Sequence, residues 1–568
     1  MIFLDIETNL THDKIWLCVT YDTRKDKLMR WLSPNGLQEY LNDVSVCGHN
    51  IIGFDAPVLS RVWNVTIPDE LLVDTLVMAR LYKPDIDPIM VDGKQEKHSL
   101  AGWGARLGHA KGNFTDFDSG FSEEMYTYCV QDVNVTYELF NHLQVEMKKF
   151  AQQSINWEHD VAVICNRMQN NGFAFDEQKA MTLQAQLSGR MADIENKMQE
   201  VFPPIVEQRI SEKTGKPLKD KTTVFNPGSR QQIADRLQGL GVVFSKHTEK
   251  GSIIVDEAVL ETIDLPEAKL VSEYLMLQKR VAQINSWLEL VGKDGRIHGR
   301  IITNGAVTGR CSHHSPNLAQ VPAVGNPYGA ECREMFIVPK RKSLVGVDLS
   351  GIELRCLSHY MQDRDWQLEL LTGDIHWRNA QSFGLIPKGT IKDEHNSEHK
   401  KARNITKTLT YAMLYGAGPA KIASTIGVTT GKAKTLIDNF LTNTPALVKL
   451  KSKIVTTIEK HGTLPGLDGR QLWIRSQHAA LNTLLQSAGA IIAKQWLIKA
   501  TLLLKVKGID AKLVAFVHDE TQWEVAEEDA DEAMQAIIHA ASLAGNALQF
   551  RCPVEAEGKI GNNWRECH

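Results

Sequence analysis

The sequence has no CxxC pair. Its nine cysteines are scattered, which argues against a zinc ribbon and against a disulfide framework. No apolar run approaches the roughly 20 residues of a membrane span, so no membrane association is expected. No signal peptide is visible, because Met1-Ile2-Phe3-Leu4 runs straight into Asp5. Neither charge is in excess: 64 Lys and Arg stand against 68 Asp and Glu, a net charge of −4. A nucleic-acid-binding role would therefore need its positive charge gathered in a groove. What the chain does have is length and apolar content. With 568 residues, 43% of them hydrophobic, it can bury several domain cores.

Three stretches carry chemistry. In the first, apolar Leu513 to Val517 and alternating Thr521 to Val525 read as the strands of a hairpin. Its tip, His518-Asp519-Glu520, is expected to push two adjacent carboxylates out of an apolar sheet. Neighbouring like charges are costly unless a cation sits beside them, and hard Mg²⁺ prefers carboxylate oxygens. Taken alone, the stretch is equally well an acidic turn. In the second, the apolar strand Ser343 to Val347 also ends in a carboxylate, Asp348, followed by Leu349-Ser350-Gly351 and helical spacing from Ile352 to Tyr360. Two strands of one sheet, each ending in Asp, can hold two metal ions ~3.5–4 Å apart. In the third, Arg403, Lys407, Tyr411 and Tyr415 recur every four residues along one helix face, before Gly416-Ala417-Gly418 ends the helix. Two cations followed by two rings suit a triphosphate with its sugar and base.

These stretches resemble motifs A, B and C of the family A DNA polymerases, the DNA polymerase I type: Asp348-Leu349-Ser350-Gly351-Ile352-Glu353-Leu354-Arg355, the Arg403/Lys407/Tyr411/Tyr415-Gly416 helix, and His518-Asp519-Glu520. The phrases Gly305-Ala306-Val307-Thr308-Gly309-Arg310 and His478 to Ala490 are similar to the replicative branch found in short-tailed bacteriophages. The resemblance covers almost the whole chain. It implies a multi-domain α/β and α+β protein in which an RNase H-like exonuclease domain precedes a right-hand polymerase of palm, fingers and thumb.

The first 147 residues read as α/β. The opening strand places Asp5 and Glu7 on one side by its two-residue period, Cys47 to Asp55 is a strand-to-helix passage, and Tyr128 and Asp132 lie one helical turn apart. Four carboxylates and a tyrosine are a plausible two-metal nuclease set. In this order they resemble a DnaQ-like 3′–5′ exonuclease. The resemblance makes Asp5, Glu7, Asp55 and Asp132 metal ligands and Tyr128 the residue that orients the attacking water. Asp74 reads as structural.

Residues 148–290 are mostly helical in pattern and match the thumb. Between two of its helices, Arg209 to Lys221 holds five basic residues against two acidic ones, interrupted by Gly and Pro. It reads equally as a flexible phosphate-tracking loop and as a solvated linker. Some relatives carry a long thumb insertion that captures thioredoxin. Here only about twenty residues separate Phe202 from Phe225, so thioredoxin dependence is doubtful. Residues 291–355 and 476–568 are expected to form the palm, and 356–475 the fingers.

Further roles follow from the resemblance. Arg310 contacts the primer strand, and Asn482 and Gln486, again four apart, contact the template side. One minor-groove donor can check pairing without reading sequence. His518 contacts the primer terminus, and His376 the triphosphate. Glu353 is the steric gate against a ribose 2′-hydroxyl. Tyr411 senses the sugar 3′ position, which implies ready use of dideoxynucleotides, and Tyr415 stacks near the nascent pair. Arg403 and Lys407 bind phosphates, with Lys407 a candidate proton donor to the leaving group. Asp348 and Asp519, with Leu349 beside them, hold two Mg²⁺ ions, and Glu520 gives acidic support. A second pair of Mg²⁺ ions belongs to the exonuclease site. The chain end, Trp564 to His568, has no assigned role.

The expected activity is template-directed DNA synthesis from dNTPs on a primer-template, with proofreading, in replication of viral DNA in the cytoplasm of the host bacterium. A phage helicase-primase and a single-stranded DNA-binding protein are the expected partners. The alternative is a 3′–5′ exonuclease joined to a non-polymerising DNA-binding module, which would have no need of Asp348, Asp519, Arg403 and Lys407 together. A single-subunit RNA polymerase shares motifs A to C, but Glu353 and the nuclease set argue against it.

Overall fold

The computed structural model describes every residue except Ala110, Lys111, Asn113, Glu212, Thr214, Ser245, Glu249 and His568. The chain opens with β1 (Ile2–Thr8), β2 (Ile15–Asp22), β3 (Lys27–Trp31), β4 (Val46–Gly48) and β5 (Leu72–Asp74). They form one mixed sheet in the order β3-β2-β1-β4-β5, with β1, β4 and β5 parallel and β2 and β3 antiparallel. The alternation in β1 decides what lies where. Ile2, Leu4 and Ile6 enter one core, while Phe3 enters another with Cys129 and Val133. Asp5 and Glu7 share the Phe3 side by the strand's two-residue period. Three helices complete the site-bearing part: α1 (Asp55–Val58), α2 (Thr75–Tyr82) and α3 (Glu123–Glu146). Asp74 caps α2, accepting from the amides of Leu76 and Val77, and also accepts from Asn50 and Ile52. Its part is structural, as its sequence context suggests.

Helix α4 (Gln152–Asn171) comes next. The sequence pattern places it at the start of the 148–290 segment, yet it packs elsewhere. Val161, Ile164, Cys165 and Met168 join the largest core, and Val163 joins the core of the first sheet. Its polar groups divide the same way. His159 Nε2 accepts from the amide of Asp74, and Asn166 donates to the carbonyl of Ile52 at 3.0 Å. Asn171 donates to the carbonyl of Leu513 at 2.9 Å, on the far side.

Helices α5 (Glu177–Val201), α6 (Arg230–Gly239) and α7 (Pro266–Leu290) share a second core. Between α5 and α6 the basic stretch expected as a loop is a β-hairpin instead, β6 (Ile205–Ile210) paired with β7 (Pro217–Thr223). Glu212 and Thr214, between these strands in sequence, lie outside the described residues. Cross-strand pairing holds the hairpin, with Glu207 opposite Lys221 and their charged ends 3.5 Å apart, and nearly every hairpin position is exposed.

A short hairpin, β8 (Arg300–Ile302) and β9 (Ser312–His314), leads to the central sheet. That sheet contains β10 (Lys342–Leu349), β13 (Ala511–Val517), β14 (Glu520–Ala526) and β15 (Ala556–Gly561), in the antiparallel order β13-β14-β10-β15. Between β10 and β13 run α8 (Ile352–Met361), α9 (Ile375–Phe383), α10 (Ser397–Leu414), the hairpin β11 (Thr463–Pro465) and β12 (Gln471–Trp473), and α11 (Ala480–Lys507). Helix α12 (Ala530–Ala547) precedes β15. Both sheet faces are covered. Val345, Val347 and Leu349 enter the core of α11 and α12, while Leu344 and Val514 enter the core of α5 and α7. Helix α11 is long and apolar enough to cross a membrane by length and composition, but 72% of that apolar window is buried inside the protein, which makes it a core helix. All nine cysteines are buried thiols.

At the base of the second core Phe336 meets four rings, those of Phe173, Phe175, Trp287 and Trp564, at centroid separations of 5.2, 5.2, 5.5 and 5.4 Å. Such a fully buried ring leaves a cavity when truncated. Phe336→Ala is expected to destabilise this part of the protein by about 3–5 kcal/mol, read as a lower denaturation midpoint in the transition followed by Trp287 and Trp564 fluorescence.

Candidate active sites

The first site lies where β10 and the β13–β14 hairpin end together. Asp348 stands opposite Glu520 in register, and the Leu349 amide donates to the Asp519 carbonyl at 3.0 Å. That bond docks the hairpin tip against the end of β10 and sets Asp348 beside Asp519. His518 reaches the turn with φ +59°, and its ring meets His313 edge-on at 6.4 Å. Burial pushes the Asp519 carboxyl above its ordinary value, and Glu353 and Glu520 add to this against the opposing pull of Arg310. Leu349 brings only its backbone, because its side chain is buried.

Glu520 differs from the sequence expectation. It is not at the tip but opens β14, and it is 7% exposed. Its Oε1 accepts from Trp564 Nε1 at 2.5 Å and from Gln522 Nε2 at 2.8 Å, with Arg333 Nη1 at 3.6 Å. The chain end therefore has a contact that the sequence did not suggest. The Arg333 guanidinium also lies over the Trp564 ring at 4.5 Å.

Helices α8 and α10 close the site from the other side. Glu353, in the first turn of α8, accepts from the Tyr415 hydroxyl at 2.8 and 2.6 Å and from Arg310 Nη2 at 3.2 Å. Tyr415 caps the end of α10, where Gly416 adopts φ +76° and a Cβ would lie 2.8 Å from the His478 carbonyl. Only glycine fits that turn. The Tyr411 ring lies 6.3 Å from both Tyr415 and His376, so three rings line one wall. Burial raises the Tyr411 hydroxyl, helped by the charges of Glu353 and Asp519. Lys407 is exposed on the same helix. Arg403 is already engaged, because its Nε meets Asp374 Oδ2 at 2.6 Å and Lys392 Nζ approaches that same oxygen at 2.9 Å. Burial opposes ionisation of Asp374, but the hydrogen bonds from Arg403 and Lys392 outweigh it and hold the carboxyl at about 2. Asn482 and Gln486 are half-buried on the first two turns of α11.

The second site lies on the first sheet. Asp55 starts α1, and its Oδ1 accepts from the Ile6 amide at 3.2 Å, between Asp5 and Glu7 in sequence. Burial, with Asp74 and Asp132 nearby, pushes the Asp55 carboxyl up to about 7. Ligand atoms of Asp5, Glu7 and Cys129 lie within 4.8 Å of one another, and Cys129 Sγ donates to Asp5 Oδ2 at 3.3 Å. Tyr128, next to Cys129, packs on Phe114 and Phe117 at 5.9 and 6.2 Å. Asp5 and Asp132 open into a cleft of about 1210 Å³, whose opposite wall includes Arg300, Gly305 and His314 of the β8–β9 hairpin.

A family model described as DNA polymerase family A matches residues 190–566. This chain belongs to family A of the DNA polymerases. The DNA-directed DNA polymerase of Enterobacteria phage T3 is 32% identical over 720 aligned positions that span all of both chains, and that of Escherichia phage T7 matches equally. The POL domain of Pol1 from M. smegmatis, solved with DNA primer-template and dNTP, matches with a TM-score of 0.80 at 20% identity, over 100% of this chain and 95% of that one. The fold is thus the right-handed polymerase fold expected from the sequence. Polymerases of this family are metal-dependent, typically on Mg²⁺. The acidic donors fit that ion: they are hard oxygens, and burial, with smaller contributions from neighbouring carboxylates, raises Asp55 and Asp519, a cost that a cation relieves.

Sequence reasoning missed four groups in this polymerase: Trp564, Arg333, Asp374 and Cys129. Cys129 and Asp374 sit inside stretches already singled out, so their spacing was a usable signal. Trp564 and Arg333 reach Glu520 from distant parts of the chain and left none. Trp564→Phe keeps the ring packing and removes the donor to Glu520. A hydrogen bond to a charged group contributes about 1.5–3 kcal/mol, so primer extension is expected to fall by about ten-fold or more in single-turnover assays, with degradation of a single strand unchanged.

Proposed function

We propose that this polymerase extends a primer 3′ end with dNTPs along a DNA template, edits mispaired ends at a separate 3′–5′ exonuclease site, and so replicates viral DNA. The observation that carries the polymerase site is the meeting of Asp348 and Asp519 at one sheet end with Arg310, Glu353, Tyr411 and Tyr415. Asp348, Asp519 and the Leu349 backbone would hold two Mg²⁺ ions, and Asp5, Glu7, Asp55 and Asp132 two more. When bound, the ions supply Lewis acidity at the attacking and leaving oxygens. The remaining work is positioning and charge stabilisation by the chain itself. Arg403, Lys407 and His376 receive the triphosphate. Arg403 is then shared with or released by Asp374, which holds it in place beforehand. Tyr411 meets the sugar and Tyr415 the nascent pair. Glu353, pinned by Tyr415 and Arg310, excludes a 2′-hydroxyl. Arg310 and His518 contact the primer, and Asn482 and Gln486 the template. At the second site Tyr128 orients the attacking water.

On this reading residues 1–147 are the exonuclease domain, 148–290 the thumb, 291–355 and 476–568 the palm, and 356–475 the fingers, with α4 belonging to the junction rather than to the thumb. The chain's 568 residues are spread over 720 aligned positions with the T3 and T7 enzymes, so those relatives carry residues that it lacks. With the β6–β7 hairpin filling the gap between α5 and α6, thioredoxin is not the expected processivity factor. A helicase-primase and a single-stranded DNA-binding protein in the host bacterium's cytoplasm are the proposed partners.

A labelled primer on a longer template tests both sites. In Mg²⁺, Asp519→Ala should lose extension alone and Asp5→Ala degradation alone, and removal of Mg²⁺ should stop both. A wild type that degrades but never extends would leave only the nuclease alternative. A second test concerns Tyr411. Tyr411→Phe is expected to lower dideoxynucleotide incorporation relative to dNTP by about ten-fold, within the worth of one ordinary hydrogen bond, measured as the ratio of kcat/KM values. An unchanged ratio removes the assignment.

A further inference from the structure

One ionic cluster takes part in neither set of acidic residues, and each of its members is buried. Glu158 of α4 is 0% exposed, Asn304 2%, and Asp468, Arg470 and Lys494 3% each. Arg470 Nη2 reaches Glu158 Oε1 at 2.6 Å and Asp468 Oδ2 at 2.7 Å. Lys494 Nζ, on α11, reaches both Glu158 oxygens at 2.7 and 2.8 Å. Asn304 closes the network. Its Nδ2 donates to Glu158 Oε2 at 2.9 Å, and its Oδ1 accepts from Lys494 at 3.0 Å and from Arg470 at 3.4 Å. Two cations balance two anions, and four separate parts of the chain meet: α4, the β8–β9 loop, the β11–β12 turn and α11.

The loop held by Asn304 is the one that carries Arg310. Its stem is fixed to α4 as well, since the Ile301 amide donates to Gln169 Oε1 at 3.1 Å. Its far side leans on the same network: Gly309 has φ +76°, and a Cβ there would lie 2.7 Å from Arg470 Nη1. Beyond Gly309, Arg310 meets Glu353, and Arg310, Lys494, His518 and Asp519 line one small cavity of about 20 Å³. A buried ion network is poor evidence of stability, because well-packed apolar groups often do as well. Its strength is in selecting one geometry, and an arginine presented from a loop benefits from that, since unordered loop and side chain cost entropy on binding.

We propose that Asn304, Glu158, Arg470 and Lys494 are positioning residues for DNA synthesis: their buried network locks the β8–β9 loop so that Arg310 is presented, ordered in advance, to the primer end. This rests on the reading of Arg310 as the primer-strand contact. The network also makes the polymerase site depend on α4, a helix that belongs equally to the first sheet.

The test is a double-mutant cycle in the full-length protein. Single-nucleotide addition at saturating DNA is measured on matched and mismatched primer ends for wild type, Asn304→Ala, Arg310→Ala and the pair, with thermal unfolding recorded for each. Asn304→Ala cuts the loop from the network and leaves the Glu158–Arg470–Lys494 ion pairs in place. It is expected to lower matched addition about ten-fold, equivalent to about 1.4 kcal/mol, and to reduce the preference for a matched over a mismatched end, which a general loss of stability would not do. In the Arg310→Ala background it should cost nothing further. A full rate in Asn304→Ala, or losses that multiply in the pair, overturns the proposal. An unaltered rate in Arg310→Ala shows a different failure, that of the primer-contact reading, and removes the proposal with it. If Asn304→Ala does not fold, the charge-balanced pair Glu158→Gln with Lys494→Met takes its place in the same cycle, with the same outcomes deciding.

Discussion

Carboxylates placed next to carboxylates govern this molecule. Both sites gather acidic side chains at the ends of buried strands; Asp348 stays exposed, while burial already penalises the charge of Asp55 and Asp519. The upward shifts at Asp55 and Asp519 are the trace of that cost. A fold tolerates such crowding only if rigid elements hold the groups apart and cations meet them. Sheet ends give the rigidity: β1 holds Asp5 and Glu7, and β10 with the β13–β14 turn holds Asp348 and Asp519. Beside Asp519 one cation comes from the β8–β9 loop, as Arg310, and divalent ions would meet the rest.

The two sites meet the problem differently. Around Asp519 the neighbours include Arg310 and Tyr415, which share Glu353, so charge is distributed over a hydrogen-bonded cluster. Glu520 is withdrawn from the cluster by Trp564, Gln522 and Arg333. Around Asp55 a backbone amide helps but burial is complete, so the pocket leaves more of its charge to be met by a ligand. Arg403 and Asp374 show a third arrangement, an ion pair that keeps the arginine oriented.

The sequence was readable wherever chemistry followed a local period. The two-residue alternation of Asp5 and Glu7, the strand-end position of Asp348 and the four-residue march from Arg403 to Tyr415 all express geometry within one element. The structure keeps each of them in the element expected. Glu520 was misplaced because strand pairing, not composition, decides where a hairpin turn ends, and register puts it opposite Asp348 inside β14. The 209–221 stretch looked like a loop because Gly215 and Pro217 interrupt it, while cross-strand partners such as Glu207 and Lys221 pair its flanks. The contacts of Trp564 with Glu520, and of Arg470 and Lys494 with Glu158, were out of reach. They join residues tens to hundreds of positions apart, and no spacing rule spans such distances.

Helix α4 belongs to two cores at once, with Val163 in one and Val161, Ile164 and Met168 in the other. At about 1.5 Å per residue, its 20 residues form a strut some 30 Å long. A linker would let the two halves drift, whereas a strut fixes their spacing. On the proposed assignment, the distance a strand end must travel between synthesis and removal is then a constant of the protein. How often an end covers that distance then depends on how readily its last pairs come apart.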